Sequence, residues 1–189
     1  MKKVRGMTLV EMIIAIVLMG IAMAAFTSFL IPQVRDSAIP HYQSRAAALA
    51  QGFMSQILAR GFDENSDFDG GQIRCGESIL GAPACSSVLE ADDGELTPAD
   101  FNDVDDYIGC WYTQTTQGSC ESSPQHQLSN ALGELLEEDY KNFRVEIDVS
   151  YVTEGGEDFG AITDYKRVTM TIYAGRAQPM TLSAIRGNY

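Results

Sequence analysis

Positive charge is scarce in this chain, and so is most of what catalysis recruits. Thirteen Lys and Arg face 26 Asp and Glu, for a formal charge of −13. So acidic a surface repels phosphate, and no stretch gathers bases into a patch, which argues against nucleic acid as a partner. Histidine occurs twice, at His41 and His126, and neither sits in a nucleophile or metal motif. No Cys-x-x-Cys pair exists, which with so few histidines argues against zinc. The glycines build no phosphate-binding loop. Carboxylates are too plentiful for any pair to stand out as general acid and base, because that assignment needs a desolvating pocket. No catalytic residue and no required cofactor emerges, so a structural or interaction protein is expected rather than an enzyme. A second apolar run long enough to span a bilayer is also lacking after Ile31.

The first such run organises the rest. Lys2, Lys3 and Arg5 lead into Gly6, then Met7-Thr8-Leu9-Val10-Glu11, then an uncharged apolar stretch over residues 12–31. Twenty helical residues rise about 30 Å, the thickness of a bilayer's hydrocarbon core. An ordinary secretory leader has a shorter apolar region, about 7–15 residues, and ends at a small-residue cleavage site. Here the run continues into Pro32-Gln33-Val34-Arg35-Asp36, with no A-x-A pattern, and the bases precede Gly6. Glu11 is a carboxylate at the mouth of this run. An acid within lipid costs about 2.5–3.5 kcal/mol even on lenient scales and calls for a partner. A cut after Gly6 would supply one, the new α-amino group of Met7, from the same chain or a neighbour.

Gly6, Met7-Thr8-Leu9-Val10-Glu11 and the long apolar helix resemble the class III leader of type IV prepilins and type II secretion pseudopilins. The resemblance implies cleavage between Gly6 and Met7 by prepilin peptidase, N-methylation of Met7, and use of Glu11 in docking onto a growing filament. Members usually carry Phe where this chain has Met7, a departure that bears on cleavage efficiency. The implied partners are other pilin subunits, the prepilin peptidase/methyltransferase and the inner membrane before assembly. By the positive-inside rule, Lys2, Lys3 and Arg5 stay in the cytoplasm. The expected localisation is therefore a single-pass inner-membrane protein that later joins an extracellular pilus. Losing the three leader bases takes the side-chain charge from −13 to −16.

An even number of cysteines in a domain outside the cytoplasm favours disulfides. Cys75, Cys85, Cys110 and Cys120 allow three pairings. Cys75 with Cys85 and Cys110 with Cys120 is preferred, each closing a short loop worth roughly 3 kcal/mol in the chain-entropy model.

Beyond Pro32 the pattern turns amphipathic. Ala46, Leu49, Ala50, Phe53, Met54, Ile57 and Leu58 recur at the spacing of one helical face. One long helix, kinked at Pro32 and Pro40 and ended by Gly61, is expected. Between Phe62 and Ile108 fall thirteen acids and one base, Arg74, with little periodicity. A short helix is expected near Thr97-Pro98-Ala99-Asp100, and another through Leu128, Leu132, Leu135 and Leu136. Phe143, Val145, Ile147, Val149 and Tyr151 alternate with polar residues; so do Val168, Met170, Ile172 and Ala174, and then Met180, Leu182 and Ala184. Period two marks half-buried strands, and the short links mark an antiparallel meander. Trp111 and Tyr112 read as core or disulfide packing, with an exposed adhesive role as the alternative.

The fold class expected is therefore α+β, a type IV pilin-like roll with a long N-terminal helix on a C-terminal antiparallel sheet and a disulfide-stapled acidic region. The expected divisions are a leader at 1–6, a membrane or filament-core helix at 7–31, its amphipathic continuation at 32–61, and a periplasmic or extracellular domain at 62–189. Gly61-Phe62-Asp63-Glu64-Asn65, Gly70-Gly71, Arg74-Cys75-Gly76-Glu77, residues 101–107 and Leu182-Ser183-Ala184-Ile185-Arg186 are similar to the D-subunit family of minor pilins in the mannose-sensitive haemagglutinin pilus system. That resemblance implies a low-abundance pilus component of a Gram-negative bacterium. The alternatives are a type II secretion pseudopilin and a membrane-anchored, calcium-dependent adhesin or binding module.

One stretch bears on calcium. Asn65, Asp67 and Asp69 offer oxygens at alternate positions before Gly70, as in the first half of a calcium loop. The closing acid falls one residue late, at Glu77 instead of Gly76. The competing reading is a solvated acidic loop, and Asp92, Asp93, Glu95, Asp103, Asp105 and Asp106 are further candidate ligands.

Overall fold

Local pattern accounts for both helices. The structure, a computed structural model, describes residues 6–66, 73–78, 81–130 and 132–189, without the side chain of Arg35. Helix α1 spans Leu9–Asp36 and α2 spans Ile39–Leu58. A turn at Ser37 and Ala38 separates them, so the break is not at either proline. Pro32 lies inside α1, and Pro40 lies in the first turn of α2, where a missing N–H costs no helical hydrogen bond. Nor does Gly61 cap α2. The helix stops at Leu58, and Gly61 instead bridges in parallel to Asp103, its N–H donating to the Asn102 carbonyl at 2.9 Å.

The chain divides into two units, Met1–His41 and Tyr42–Tyr189. In the first, α1 leaves its apolar side chains exposed along its length, from Leu9 and Ile13 through Val17 and Phe26 to Val34. Among the described residues, one helical stretch, Leu9–Leu58, is long and apolar enough to cross a membrane.

The second unit is a sheet covered by α2. Its strands are β1 (Gly109–Tyr112), β2 (Gln125–Gln127), β3 (Phe143–Tyr151), β4 (Tyr165–Ala174) and β5 (Met180–Gly187), in the order β2-β1-β3-β4-β5. The expected meander is β3-β4-β5, antiparallel, with Val145 opposite Ile172, Ile147 opposite Met170 and Val149 opposite Val168. β1 extends it antiparallel to β3, but β2 lies parallel to β1. A parallel neighbour needs a connection of about a dozen residues, which the segment between β1 and β2 supplies. Gly109 opens β1 at φ +130°, a backbone conformation suited to glycine, and a Cβ there would strike the Pro124 carbonyl.

Ala46, Leu49, Ala50, Phe53, Met54 and Ile57 of α2 are buried with Val145, Ile147, Val149, Val168, Met170 and Ile172. Each fully buried large apolar side chain is worth about 1.5–3 kcal/mol, so this seam is the main source of stability. Trp111 lies within it, wholly buried, its ring edge-on to Phe53 at 5.0 Å and its Nε1 donating to the Tyr107 carbonyl at 2.9 Å. That burial removes an adhesive role for Trp111.

Two expected short helices do not form. Residues 97–100 make a turn in which Thr97 N–H and Oγ1 both donate to Asp100 Oδ2. Of the leucines at 128, 132, 135 and 136, Leu128 is buried while Leu132 and Leu135 are exposed, and Ser129 bridges Leu135 antiparallel, so no common face exists. The cysteines pair as preferred, Cys75 with Cys85 and Cys110 with Cys120, at ordinary Cα separations of 4.8 and 5.7 Å.

The second disulfide closes the chain that returns β2 beside β1. Replacing Cys110 and Cys120 together by Ala is expected to lower unfolding free energy by about 2–4 kcal/mol. Urea unfolding followed by Trp111 fluorescence checks this; an unchanged midpoint would show that the sheet edge holds without the staple.

Candidate functional site

Two places carry groups that packing alone does not explain. The first is the start of α1. Gly6 and Met7, the expected cleavage pair, are exposed. Thr8 and Glu11 cap the helix reciprocally: the Glu11 N–H donates to Thr8 Oγ1 at 3.3 Å, and the Thr8 N–H donates to Glu11 Oε2 at 3.4 Å. This is a capping box, which satisfies donors that a helix end otherwise leaves open. The Glu11 carboxylate is thus held at the solvent-accessible end of an apolar rod, four residues from Met7.

The second place is a set of carboxylates beneath the end of α2. The parallel bridge between Gly61 and Asp103 sets residues 62–64 beside residues 101–107. Lys166 enters from β4. It occupies an inward-facing position in the same row as Val168, Met170 and Ile172, opposite Tyr151, and its side chain is wholly buried. Its Nζ donates to Asp63 Oδ2 at 3.0 Å and to Asp105 Oδ1 at 2.5 Å. The Phe62 and Tyr151 rings lie 4.8 and 5.4 Å from Nζ. Asp63 accepts five further hydrogen bonds, from the Ser86 N–H and Oγ, the Asn65 N–H and Nδ2, and the Tyr151 hydroxyl. Burial by itself raises the Asp63 pKa; the Lys166 charge and the hydrogen bonds outweigh it and hold the carboxyl below its ordinary value. Asp105 is pushed upward by burial despite Lys166.

Next to this ion pair lie acids that make no ion pair with a Lys or Arg among the described residues. Asp106 Oδ2 accepts the N–H groups of Asn102 and Asp103 at 2.7 and 2.9 Å. Asp103 Oδ1 accepts the Asp105 N–H at 2.9 Å. Asn102 Nδ2 reaches Glu64 Oε2 and Glu95 Oε1, both at 2.6 Å. Burial first, then the charges of Asp105 and Asp106, push Asp103 up to about 9. Burial and then Asp106 push Glu95 up to about 7, and burial with Glu64 raises Asp92.

Of the calcium residues expected from sequence, Asp67 and Asp69 lie outside the described residues. Asn65 uses its amide as a donor, to Asp63 Oδ1 and Ser86 Oγ. Glu77 pairs with Arg74 at 3.8 Å. His41 is exposed, whereas His126 packs on Trp111 at 4.7 Å and burial lowers its pKa. Sequence reasoning missed Asp63 and Lys166 as partners. The available signal was a lysine two residues before Val168, in phase with an apolar row.

Removing one partner of a buried ion pair strands the other charge, which costs about 3–5 kcal/mol. Lys166→Met is expected to destabilise the protein by that amount, and Lys166→Met with Asp63→Asn and Asp105→Asn to recover much of it. Chemical denaturation of the wild type and the two variants checks the pattern; equal losses in both variants would show that volume, not stranded charge, sets the cost.

The chain was compared with known proteins. Residues 1–27 match the family model described as the prokaryotic N-terminal methylation motif. No curated protein and no solved structure matches the chain. The matched motif covers the leader and most of the exposed apolar helix, and the unit behind it is α+β with a helix on a mostly antiparallel sheet. Leader motif and architecture together support a type IV pilin-like protein, a pilin or pseudopilin, and suggest a structural subunit rather than an enzyme.

Proposed function

We propose that this chain is a minor pilin, a subunit built into a type IV pilus through its N-terminal helix. The observation that carries the reading is the methylation motif over residues 1–27 running into a helix whose large apolar side chains are exposed. Such a surface is stable in lipid or against other apolar helices and unstable in water. In this reading the leader bases hold the N-terminus in the cytoplasm and α1 spans the inner membrane. Prepilin peptidase cuts between Gly6 and Met7, and Met7 is methylated. The helix then exchanges lipid for the helices of neighbouring subunits. The similarity of residues 61–65, 101–107 and 182–186 to mannose-sensitive haemagglutinin D subunits favours the minor-pilin assignment over a pseudopilin.

Glu11 supplies the register. In the precursor its carboxylate is tied to the Thr8 N–H. After cleavage the Met7 ammonium stands one residue from that N–H, and an ammonium is a stronger partner for a carboxylate than an amide. Inside a filament core a lone carboxylate is costly, so the stable axial positions are those that bring an ammonium to it.

Two outcomes follow. Mass spectrometry of the native protein is expected to show a chain beginning at Met7 and carrying one added methyl group; an intact leader would overturn the reading. Glu11→Ala is expected to insert normally in the inner membrane yet be depleted, about tenfold or more, from sheared surface filaments. That factor corresponds to about 1.4 kcal/mol, below the cost of an unpaired acid in lipid. Full loading of the variant would remove the register role, and absence of the wild-type chain from sheared filaments would favour a secretion pseudopilus.

A further inference from the structure

The acids that Lys166 does not serve have a geometry of their own. We propose that Asp92, Asp103 and Asp106, with Glu95 beside them, bind one calcium ion. One carboxylate oxygen from each of Asp92, Asp103 and Asp106 lies within 4.8 Å of the others. Calcium holds oxygens at about 2.3–2.6 Å, so oxygens on opposite sides of the ion stand about 4.6–5.2 Å apart, and three at this spacing fit one coordination sphere.

A second observation points to a missing partner. Asp106 is only 1 % exposed, and while its Oδ2 accepts two backbone N–H groups, its Oδ1 is sealed from solvent with no hydrogen-bond partner among the described residues. A buried carboxylate oxygen left unsatisfied is rare and costly. Glu95 is within electrostatic reach of Asp106, and Asp103 and Asp92 share its cluster, so acids able to ligate a cation lie beside it. Asn102 repeats the pattern, with Nδ2 spent on Glu64 and Glu95 and Oδ1 buried without a partner. A hydrogen-bond donor satisfies one such oxygen, whereas a hard cation satisfies several at once.

Charge balance agrees. Lys166 is committed to Asp63 and Asp105, which leaves Asp92, Asp103, Asp106 and Glu95 as a neighbouring group of acids. Access is also present, because Asp92 is exposed while Asp103 and Asp106 are buried. The ion would meet solvent on the Asp92 side, where waters complete a shell of six to eight oxygens. The site lies within Tyr42–Tyr189 and does not depend on filament assembly.

The test uses the full processed chain in detergent micelles, stripped with EGTA and melted with and without about 2 mM CaCl2, a level suited to the millimolar-range affinities of extracellular calcium modules. Calcium is expected to raise the melting temperature by several degrees. Asp92→Asn removes an exposed carboxylate, so in EGTA it should melt with the wild type while losing more than half of the calcium response. Asp106→Asn should lose all of it. An unchanged wild-type melt in calcium, an undiminished response in Asp92→Asn, or an equal response to MgCl2 would each overturn the assignment.

Discussion

Lys166 joins three parts of the chain that are far apart in sequence. Its ammonium receives Asp63, just beyond α2, and Asp105, in the loop ahead of β1, from a strand near the C-terminus. A buried ion pair adds little net stability over a hydrophobic alternative of the same shape. It does restrict arrangement, because any packing that separates the three groups leaves a charge in the dry core. Apolar side chains tolerate many packings of similar energy, whereas these three tolerate one. In this unit the seam between α2 and the sheet supplies the driving force, and the lysine selects which loop conformation accompanies it.

The two units solve opposite problems. In Tyr42–Tyr189 the large apolar side chains of α2, β3 and β4 are mostly covered, and most buried polar groups have partners. In Met1–His41 apolar side chains from Leu9 to Val34 are open. Such an uncovered rod is unfavourable in water, and together with the leader motif it fits membrane anchoring followed by pilus assembly. The helix start fits the same logic. The Thr8–Glu11 box satisfies its own donors where a bilayer interface or filament offers few alternatives, and it leaves the carboxylate able to exchange an amide for a cation.

Periodicity made the large elements legible. The inward face of α2 and the alternation of β3, β4 and β5 could be written down residue by residue before the structure, because each buries one face and leaves the other wet. β1 was not legible since three of its four residues are buried and nothing alternates, and β2 is a three-residue polar edge. The leucines at 128–136 misled because their spacing imitates a helix while the backbone turns back on itself at Asn130 and Glu134. The start of the chain was legible as a motif, since the match over residues 1–27 rests on local sequence and needs no tertiary contact. Among the acids, sequence showed the surplus and named Asp92, Asp103 and Asp106 among many. Their convergence comes from irregular turns within residues 92–106, where no periodicity marks a shared face.

That surplus, thirteen acids and one base over residues 62–108, raises the question of how the described part of this segment buries its carboxylates. The answer lies in the backbone. Asp63 takes the N–H groups of Asn65 and Ser86, Asp103 takes that of Asp105, and Asp106 takes those of Asn102 and Asp103. Each such bond replaces a missing Lys or Arg with a peptide dipole and at the same time fixes the turn that donates it. A segment poor in side-chain cations is therefore ordered by its own main chain, and the more acids it buries the more backbone conformations it determines. The supply of N–H groups is finite, however, since one peptide offers one donor while a carboxylate has room for about four. Asp106 shows where the supply ends: two amides converge on one oxygen, and the other is buried without a hydrogen-bond partner among the described residues. Past that point a further buried acid can be accommodated only by a proton or by a cation that enters from solvent.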